Sequence, residues 1–333
     1  MSLMLFVDVC GDTVPFFSHA KWHGLHLADF VMPGFIFILG AGVALGSGGS
    51  WLYRAIRMFV LGVVVQGSWF PDGLDLTHFR LMGILQRLAV CGLCVSGVCK
   101  RGWTLQWSVV FVCLNIQIFI YTFLTVPECA GPGDFSIECN AQSWIDRLVI
   151  GSGHMYKPMY DPEGLVATLG CLLPCMTGYT AVVHRRTTRF STLIAISIGL
   201  ILAGISIAWM TSVPFNKALW TLPYNLATTG TCLCVFGIID LVNINPTSIL
   251  VHLGSNAILF FVLSDCCAVA RLLINSVYVT RDGKPFGIVD WFLNNVLHVE
   301  TYPDNILIYA TVQLIFYFIV TGMLYRRRIF YKI

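Results

Sequence analysis

Apolar residues arrive along this chain in runs of about 20, the length a helix needs to cross a bilayer. Short stretches holding most of the Arg, Lys, Asp and Pro separate them. The pattern predicts spans at 27–47, 52–69, 80–98, 103–126, 164–183, 190–210, 219–242, 249–271 and 304–325. Residues 1–10, MSLMLFVDVC, are apolar but too few to cross a membrane, and they carry no basic start or cleavage site of a signal peptide. They read as the end of one further span whose upstream half is absent. The expected fold class is all-α, a polytopic transmembrane helical bundle of about 9 or 10 spans with the first truncated, in one domain over 1–333.

Composition agrees. A soluble domain is about one quarter charged residues, whereas these 333 residues are 11% charged and 57% hydrophobic, with a mean hydropathy of +0.78. That excludes a sizeable soluble domain, makes membrane lipid the surrounding partner, and gives no reason to expect a nucleic-acid partner. Lys and Arg collect on the cytoplasmic side of membrane proteins. If the spans alternate, Arg54 and Arg57, Lys100 and Arg101, Arg185, Arg186 and Arg189, and the tail YRRRIFYKI all fall on one side. The C-terminus is then cytoplasmic. Loops 11–26, 70–79, 127–163, 211–218 and 272–303 face the other way.

Of 13 cysteines, only Cys129 and Cys139 sit in a loop. They bracket AGPGDFSIE, rich in turn formers, on the side where disulfides persist, so a Cys129–Cys139 bridge is expected. Their spacing fits no zinc pattern.

Charges at membrane depth are expensive and mark candidate sites. They are Asp8, Asp29, Arg80, Arg87, Asp240, Asp265 and Arg271. Asp240, Asp265 and Arg271 lie near span ends, where an interface or a structural partner accounts for them. Asp8, Asp29 and Arg87 sit beside other polar residues. The densest chemistry is HAKWHGLHLAD, residues 19–29. His19, His23, His26 and Asp29 recur at helical spacing, so a continuous helix would place them on one face, a possible zinc face. If Gly24 breaks the helix instead, one histidine is left as a base, since imidazole titrates near neutral pH.

The stretch FSHAKWHGLHLADFVMPGFIFILG resembles the signature of the heparan-alpha-glucosaminide N-acetyltransferase family, in which H-x-x-W-x-G-x-x-x-x-D leads into an apolar helix. Matching blocks follow in order: RLMGILQRLAV at 80–90, YDPEGLVATL at 160–169, VPFNKALWTLPY at 213–224, GSNAILFFV at 254–262 and the terminal YRRRIFYKI. The resemblance implies a transmembrane acyltransferase. Acetyl-CoA from the cytosol is the acetyl donor, and the acceptor is the amine of a terminal glucosamine on a heparan sulfate-type glycan on the luminal side. No metal is expected.

The family's catalytic histidine falls on His19, as the general base of a direct transfer or as the carrier of a covalent acetyl-histidine intermediate. Trp22 and Gly24 would shape the turn, Asp29 would orient or charge-balance the site, and Asp8, at the position of a family residue that assists the histidine, would pair with His19 and raise its basicity or spoil an interaction that needs an amide. Candidates for the oxyanion are Asn216, Lys217 and Asn256. Arg80 and Arg87 would hold pyrophosphate or neutralise acidic partners, and Glu163 would contact substrate or, with Asp161, favour a helix N-terminus. Arg54, Arg57, Lys100 and Arg101, with Arg185 and Arg186 also available, are candidates for the CoA phosphates. The resemblance also implies a lysosomal membrane if the source is eukaryotic, a plasma or bacterial inner membrane otherwise, and a possible homodimer.

Three departures stand out. Asp8 occupies a position where the family commonly has Asn, Leu263, Ser264 and Asp265 replace a Gly-His-Glu, and the Arg-Gly pair of the family's first helix is absent. They leave room for a catalytically silent relative. Intramembrane charges and glycine-interrupted helices would equally suit a transporter.

Overall fold

A computed structural model describes residues 1–46, 50–66, 78–242, 249–265 and 306–331. Among these the chain is helical and has no strand. The helices are α1 (Ser2–Cys10), α2 (Val31–Leu45), α3 (Trp51–Gln66), α4 (Ile84–Cys99), α5 (Trp103–Phe123), α6 (Ala141–Ile150), α7 (Leu165–Gly170), α8 (Leu172–Val183), α9 (Phe190–Thr211), α10 (Leu222–Val242), α11 (Ile249–Ser255), α12 (Ala257–Asp265) and α13 (Ile306–Arg326). Among the described residues, six segments are long and apolar enough to cross a membrane: Leu27–Leu45, Trp103–Phe123, Leu165–Val183, Phe190–Thr211, Leu222–Val242 and Ile306–Arg326. The protein is a multi-pass membrane protein.

The remaining predicted spans differ from the observed helices for local reasons. α3 and α4 are each 16 residues long, about 24 Å at the α-helical rise. The span predicted at 80–98 begins at Ile84, because Gly83 is extended (φ −162°) and the preceding residues pair elsewhere. Leu81 N donates to the His154 carbonyl at 3.0 Å, and His154 Nδ1 lies 2.9 Å from the Phe79 carbonyl. Arg80 is therefore in a loop, not in a span. The segment 249–271 divides into α11 and α12 around Asn256. Arg271, the side chain of Asp265, residues 70–77 and loop 272–303 lie outside the described residues.

The span at 164–183 is also two helices. Pro174 has no N–H to give the carbonyl four residues back, which is that of Gly170. Asn225 Nδ2 of α10 donates to this carbonyl at 2.8 Å instead, so a break at membrane depth is satisfied from a neighbouring helix.

Lipid offers no hydrophobic drive for helix association, and close backbone packing takes its place. α2 and α8 use it most fully. A Cβ on Gly40 would lie 1.8 Å from the Cys175 carbonyl oxygen, and one on Gly178 would lie 2.0 Å from that of Phe37. Around this crossing Ile36, Cys91, Cys171, Cys175, Met176, Trp220 and Tyr224 are buried in one cluster. α1 packs by Met4 and Leu5 against Phe260, Phe261 and Tyr317 of α12 and α13. Apolar residues on the outer face of α9, such as Ile198, Leu202, Ile205 and Trp209, are exposed, as a lipid-facing helix requires.

The loop 127–163 carries structure of its own. Cys129 and Cys139 are joined by a disulfide. α6 follows, started by Asn140, whose side chain accepts from Ser143 N at 2.8 Å.

Candidate active site

Three loops converge at one end of the bundle: 11–30 before α2, 151–164 before α7, and 212–221 between α9 and α10. Hydrogen bonds and a ring contact hold them in place. Gly24, at φ +127°, a backbone conformation that suits only glycine, donates its N–H to the Phe215 carbonyl at 2.8 Å. Trp22 Nε1 donates to the Phe135 carbonyl inside the disulfide loop at 2.7 Å, and its ring packs edge-on against Tyr160 with centroids 4.9 Å apart. The Tyr224 hydroxyl of α10 donates to the Asp29 carbonyl at 2.7 Å.

Residues 18–26 are not helical, so the helical spacing of the histidines places no zinc face. The three point apart. His26 Nδ1 is 3.1 Å from the Ser18 carbonyl, His23 Nδ1 is 3.3 Å from Asn216 Nδ2, and His19 Nδ1 is 2.8 Å from Asp29 Oδ1. Asp29 is 1% exposed, whereas the His19 side chain is 42% exposed. The other oxygen of Asp29 accepts from His26 N at 2.9 Å and Ala20 N at 3.4 Å. These bonds hold the carboxylate in place as a helical turn begins at Leu27. A carboxylate bound to Nδ1 selects the tautomer with its proton there and leaves Nε2 as the acceptor.

Lys217 completes the group. Its Nζ is 3.3 Å from both ring nitrogens of His19 and 4.0 Å from Asp29 Oδ1. Burial pushes its ammonium below the ordinary lysine range, although Glu163 and Asp29 pull the other way. His19, Lys217, Asp8 and Glu163 line one cavity of about 100 Å³ together with the apolar Met4, Val7, Phe35, Ile84 and Phe261. Several water-sized groups fit in that space.

Glu163 is held from behind. Burial alone would raise its pKa, but Arg80, Arg87 and Lys217 outweigh burial and keep the carboxyl below the usual range. Arg80 pairs with Glu163 and with Asp161 at 2.6 Å. Arg87, 1% exposed, donates to the Pro162 carbonyl at 2.6 Å and lies over the Trp220 ring at 5.2 Å. Both arginines thus brace the loop that carries Glu163.

Other sequence candidates lie elsewhere or do other work. The Asn216 side-chain oxygen accepts from Leu219 N at 2.8 Å, shaping the loop that carries Lys217. Asn256 is not at the cavity: its amide donates to the Ile329 carbonyl at 3.2 Å and accepts from Tyr331 N at 3.0 Å, clamping the C-terminal tail. Arg54 and Arg57 lie over the Trp51 and Tyr53 rings. They and Lys100 and Arg101 sit at the end of the bundle opposite His19, where the Tyr179 hydroxyl near the end of α8 donates to the Cys99 carbonyl at 3.0 Å. The ion pair of Arg185 and Asp240 joins the turn after α8 to α10 at that end.

Sequence pattern does not single out Tyr224 or Asp146. Tyr224 lies inside the block VPFNKALWTLPY, where a polar hydroxyl beside a loop was the available signal. Asp146 is buried and accepts from Leu165 N and Val166 N at 3.0 and 3.2 Å, capping α7 from α6. Burial pushes its carboxyl up to about 6, against the pull of those N–H groups.

Fold and site together describe a polytopic helical membrane protein whose carboxylate-bound histidine and lysine face a cavity at one end of the bundle. No protein-family model matches the sequence. The chain is similar to the heparan-alpha-glucosaminide N-acetyltransferases of Homo sapiens, 25% identical over 405 residues, and of Mus musculus, 26% identical over 407 residues. Each alignment covers 99% of this chain and 58% of the relative, so the chain spans a little over half the length of these curated relatives.

Proposed function

We propose that the chain is a transmembrane N-acetyltransferase, acting as one domain over 1–333. It moves the acetyl group of cytosolic acetyl-CoA to the amine of a terminal glucosamine, on a heparan sulfate-type glycan, at the luminal or extracytoplasmic face. The observation that carries this reading is the placement of His19 at the cavity, with Nδ1 bound to buried Asp29 and Nζ of Lys217 at 3.3 Å from both ring nitrogens. The names of the two relatives support it.

A glucosamine amine is largely protonated near neutral pH, and only the free base attacks a thioester. The bound ammonium first gives one proton to solvent, and His19 Nε2 removes a second as the N–C bond forms. The Asp29 carboxylate stabilises the imidazolium that results, and the Lys217 ammonium lies where it stabilises the oxyanion of the tetrahedral intermediate. Collapse breaks the C–S bond, and the proton on His19 passes to the departing thiolate. Asp8 and Glu163 attract the ammonium form of the acceptor into the cavity. Trp22, through its bond to the disulfide loop, shapes the side from which the sugar arrives. Arg54, Arg57, Lys100 and Arg101 receive the CoA phosphates at the opposite, cytoplasmic end, where the C-terminus also lies. In a eukaryote the membrane is lysosomal, and two copies form a homodimer within the lipid.

The test is transfer of labelled acetyl from acetyl-CoA to glucosamine and to heparan-derived oligosaccharides by the detergent-solubilised protein. Wild type and His19→Ala are compared at equal folded yield. Transfer lost in the variant is expected. Transfer unaffected by the substitution would remove His19 from the chemistry. No transfer by either protein would overturn the enzyme reading in favour of a silent relative or a transporter.

A further inference from the structure

An acceptor amine must come to the His19 imidazole to be deprotonated, and in this structure a lysine amine already lies against that ring, 3.3 Å from both Nδ1 and Nε2. Lys217 Nζ is 3.3 Å from Nε2 and 4.0 Å from Asp29, and Lys217 and His19 line the same cavity. The amine is positioned by its loop. Gly24 N–H bonds the Phe215 carbonyl at 2.8 Å, Asn216 accepts from Leu219 N at 2.8 Å, and the Thr221 hydroxyl donates to the Pro214 carbonyl at 2.7 Å. The Lys217 side chain is 25% exposed. A partly desolvated lysine beside a base has the features that make lysine amines nucleophilic.

The geometry points to Lys217 as a self-acetylation site: when acetyl-CoA is supplied and no sugar amine occupies the cavity, Lys217 Nζ takes the acetyl group. This rests on the acetyl-transfer reading above. His19 Nε2 accepts one proton from the Lys217 ammonium, and the freed amine attacks the thioester carbonyl. The new N–C bond forms as the C–S bond breaks, the second amine proton is lost to solvent, and the CoA thiolate takes the proton held by His19. The products are Nε-acetyllysine and free CoA thiol, with no oxidant or further reactant.

The consequence is a brake. Acetylation removes a cation that faces Asp29 and Glu163, and it places an uncharged amide in a cavity of about 100 Å³. Donor without acceptor then silences the site, whereas an occupying glucosamine protects it.

The experiment incubates the full-length protein with acetyl-CoA, with and without glucosamine, and follows acetylation of each lysine by peptide mass mapping. Exposed Lys21, in the neighbouring loop, is the internal control for uncatalysed reaction. Lys217 is expected to be modified about a hundredfold faster than Lys21, the low end of what a positioned base contributes. The mark is expected to survive hydroxylamine, as an amide does and an acetyl-imidazole does not. Glucosamine is expected to suppress it, and His19→Ala to slow it to the rate of Lys21. Glucosamine acetylated while Lys217 reacts no faster than Lys21 would overturn this inference alone. Neither Lys217 nor glucosamine acetylated would overturn it together with the reading on which it rests.

Discussion

The Asp29 carboxylate, 1% exposed, lies 2.8 Å from His19 Nδ1, and the same residue's carbonyl accepts the Tyr224 hydroxyl at 2.7 Å. One residue thereby fixes the imaginary line from α10 through the start of α2 to the histidine. Asp29→Asn keeps the size of the group but loses the charge that favours a proton on Nδ1. Acetyl transfer is expected to fall about 10²- to 10⁴-fold, with helicity and oligomer profile unchanged. A rate within a few-fold of wild type would sink the assigned role.

Arg80 stands between two carboxylates, Asp161 with a fully buried side chain and Glu163 nearly so. Arg80→Ala leaves both without their shared cation, and removing one partner of a buried pair costs about 3 to 5 kcal/mol. A large fall in melting temperature in detergent is expected, smaller for Arg80→Lys. Partial recovery is expected when Glu163→Gln is added to Arg80→Ala. A melting temperature equal to wild type in Arg80→Ala would show that the network contributes nothing to the fold.

Asp146 gives a pH dependence whose sign can be worked out. Its carboxyl is pushed up from 3.8 to about 6 in the folded protein, so the folded state binds this proton more tightly than the unfolded state. Its contribution to stability is full below about pH 4 and is lost as pH rises through about 6, a change on the order of 2 to 3 kcal/mol. Glu163, held low, acts in the opposite sense, so the comparison must be with Asp146→Asn. Relative to wild type, that variant is expected to gain stability between about pH 4 and about pH 7. Parallel pH profiles for the two proteins would contradict the assignment.

The Cys129–Cys139 disulfide closes a short loop, with a sequence separation of 10. It is expected to contribute about 2 to 3 kcal/mol by restricting the unfolded chain. Cys139→Ser should lower the melting temperature accordingly and make it insensitive to reductant. Because Phe135 inside this loop accepts the Trp22 indole N–H, KM for the sugar should rise more than kcat falls. Equal changes in both would separate the loop from acceptor binding.

The long spans were legible because runs of about 20 apolar residues have few alternatives to crossing a membrane. Where the pattern overran at 80–98, a single residue explains it, since Gly83 delays α4; the span at 164–183 stands as Leu165–Val183, with a break near Pro174 inside it. Both are local signals that an apolar run conceals. His19 and Asp29 could be read as a unit because only 10 residues separate them. Asn256 could not be placed in that way. Its partners, Ile329 and Tyr331, are 73 and 75 residues downstream, and nothing local announces such a clamp. Arg80 and Arg87 read either as ligands of an anion or as partners of acidic residues; which carboxylates and carbonyls of the loop at 161–163 they bind became visible only with the helices assembled.

The crossing of Gly40 and Gly178 leaves no slack, since a Cβ on either would enter the backbone of the other helix. It therefore serves as a pivot pin. From it α2 extends about 16 Å to Asp29, and α8 with α7 about 22 Å to Glu163, at the α-helical rise. The jaws of this tool are the carboxylate that orients His19 and the Glu163 carboxylate that lines the same cavity as His19. Enlarging the pin, deep in the lipid and far from any reacting atom, would misalign the jaws at the surface, where an ångström decides whether a proton can pass.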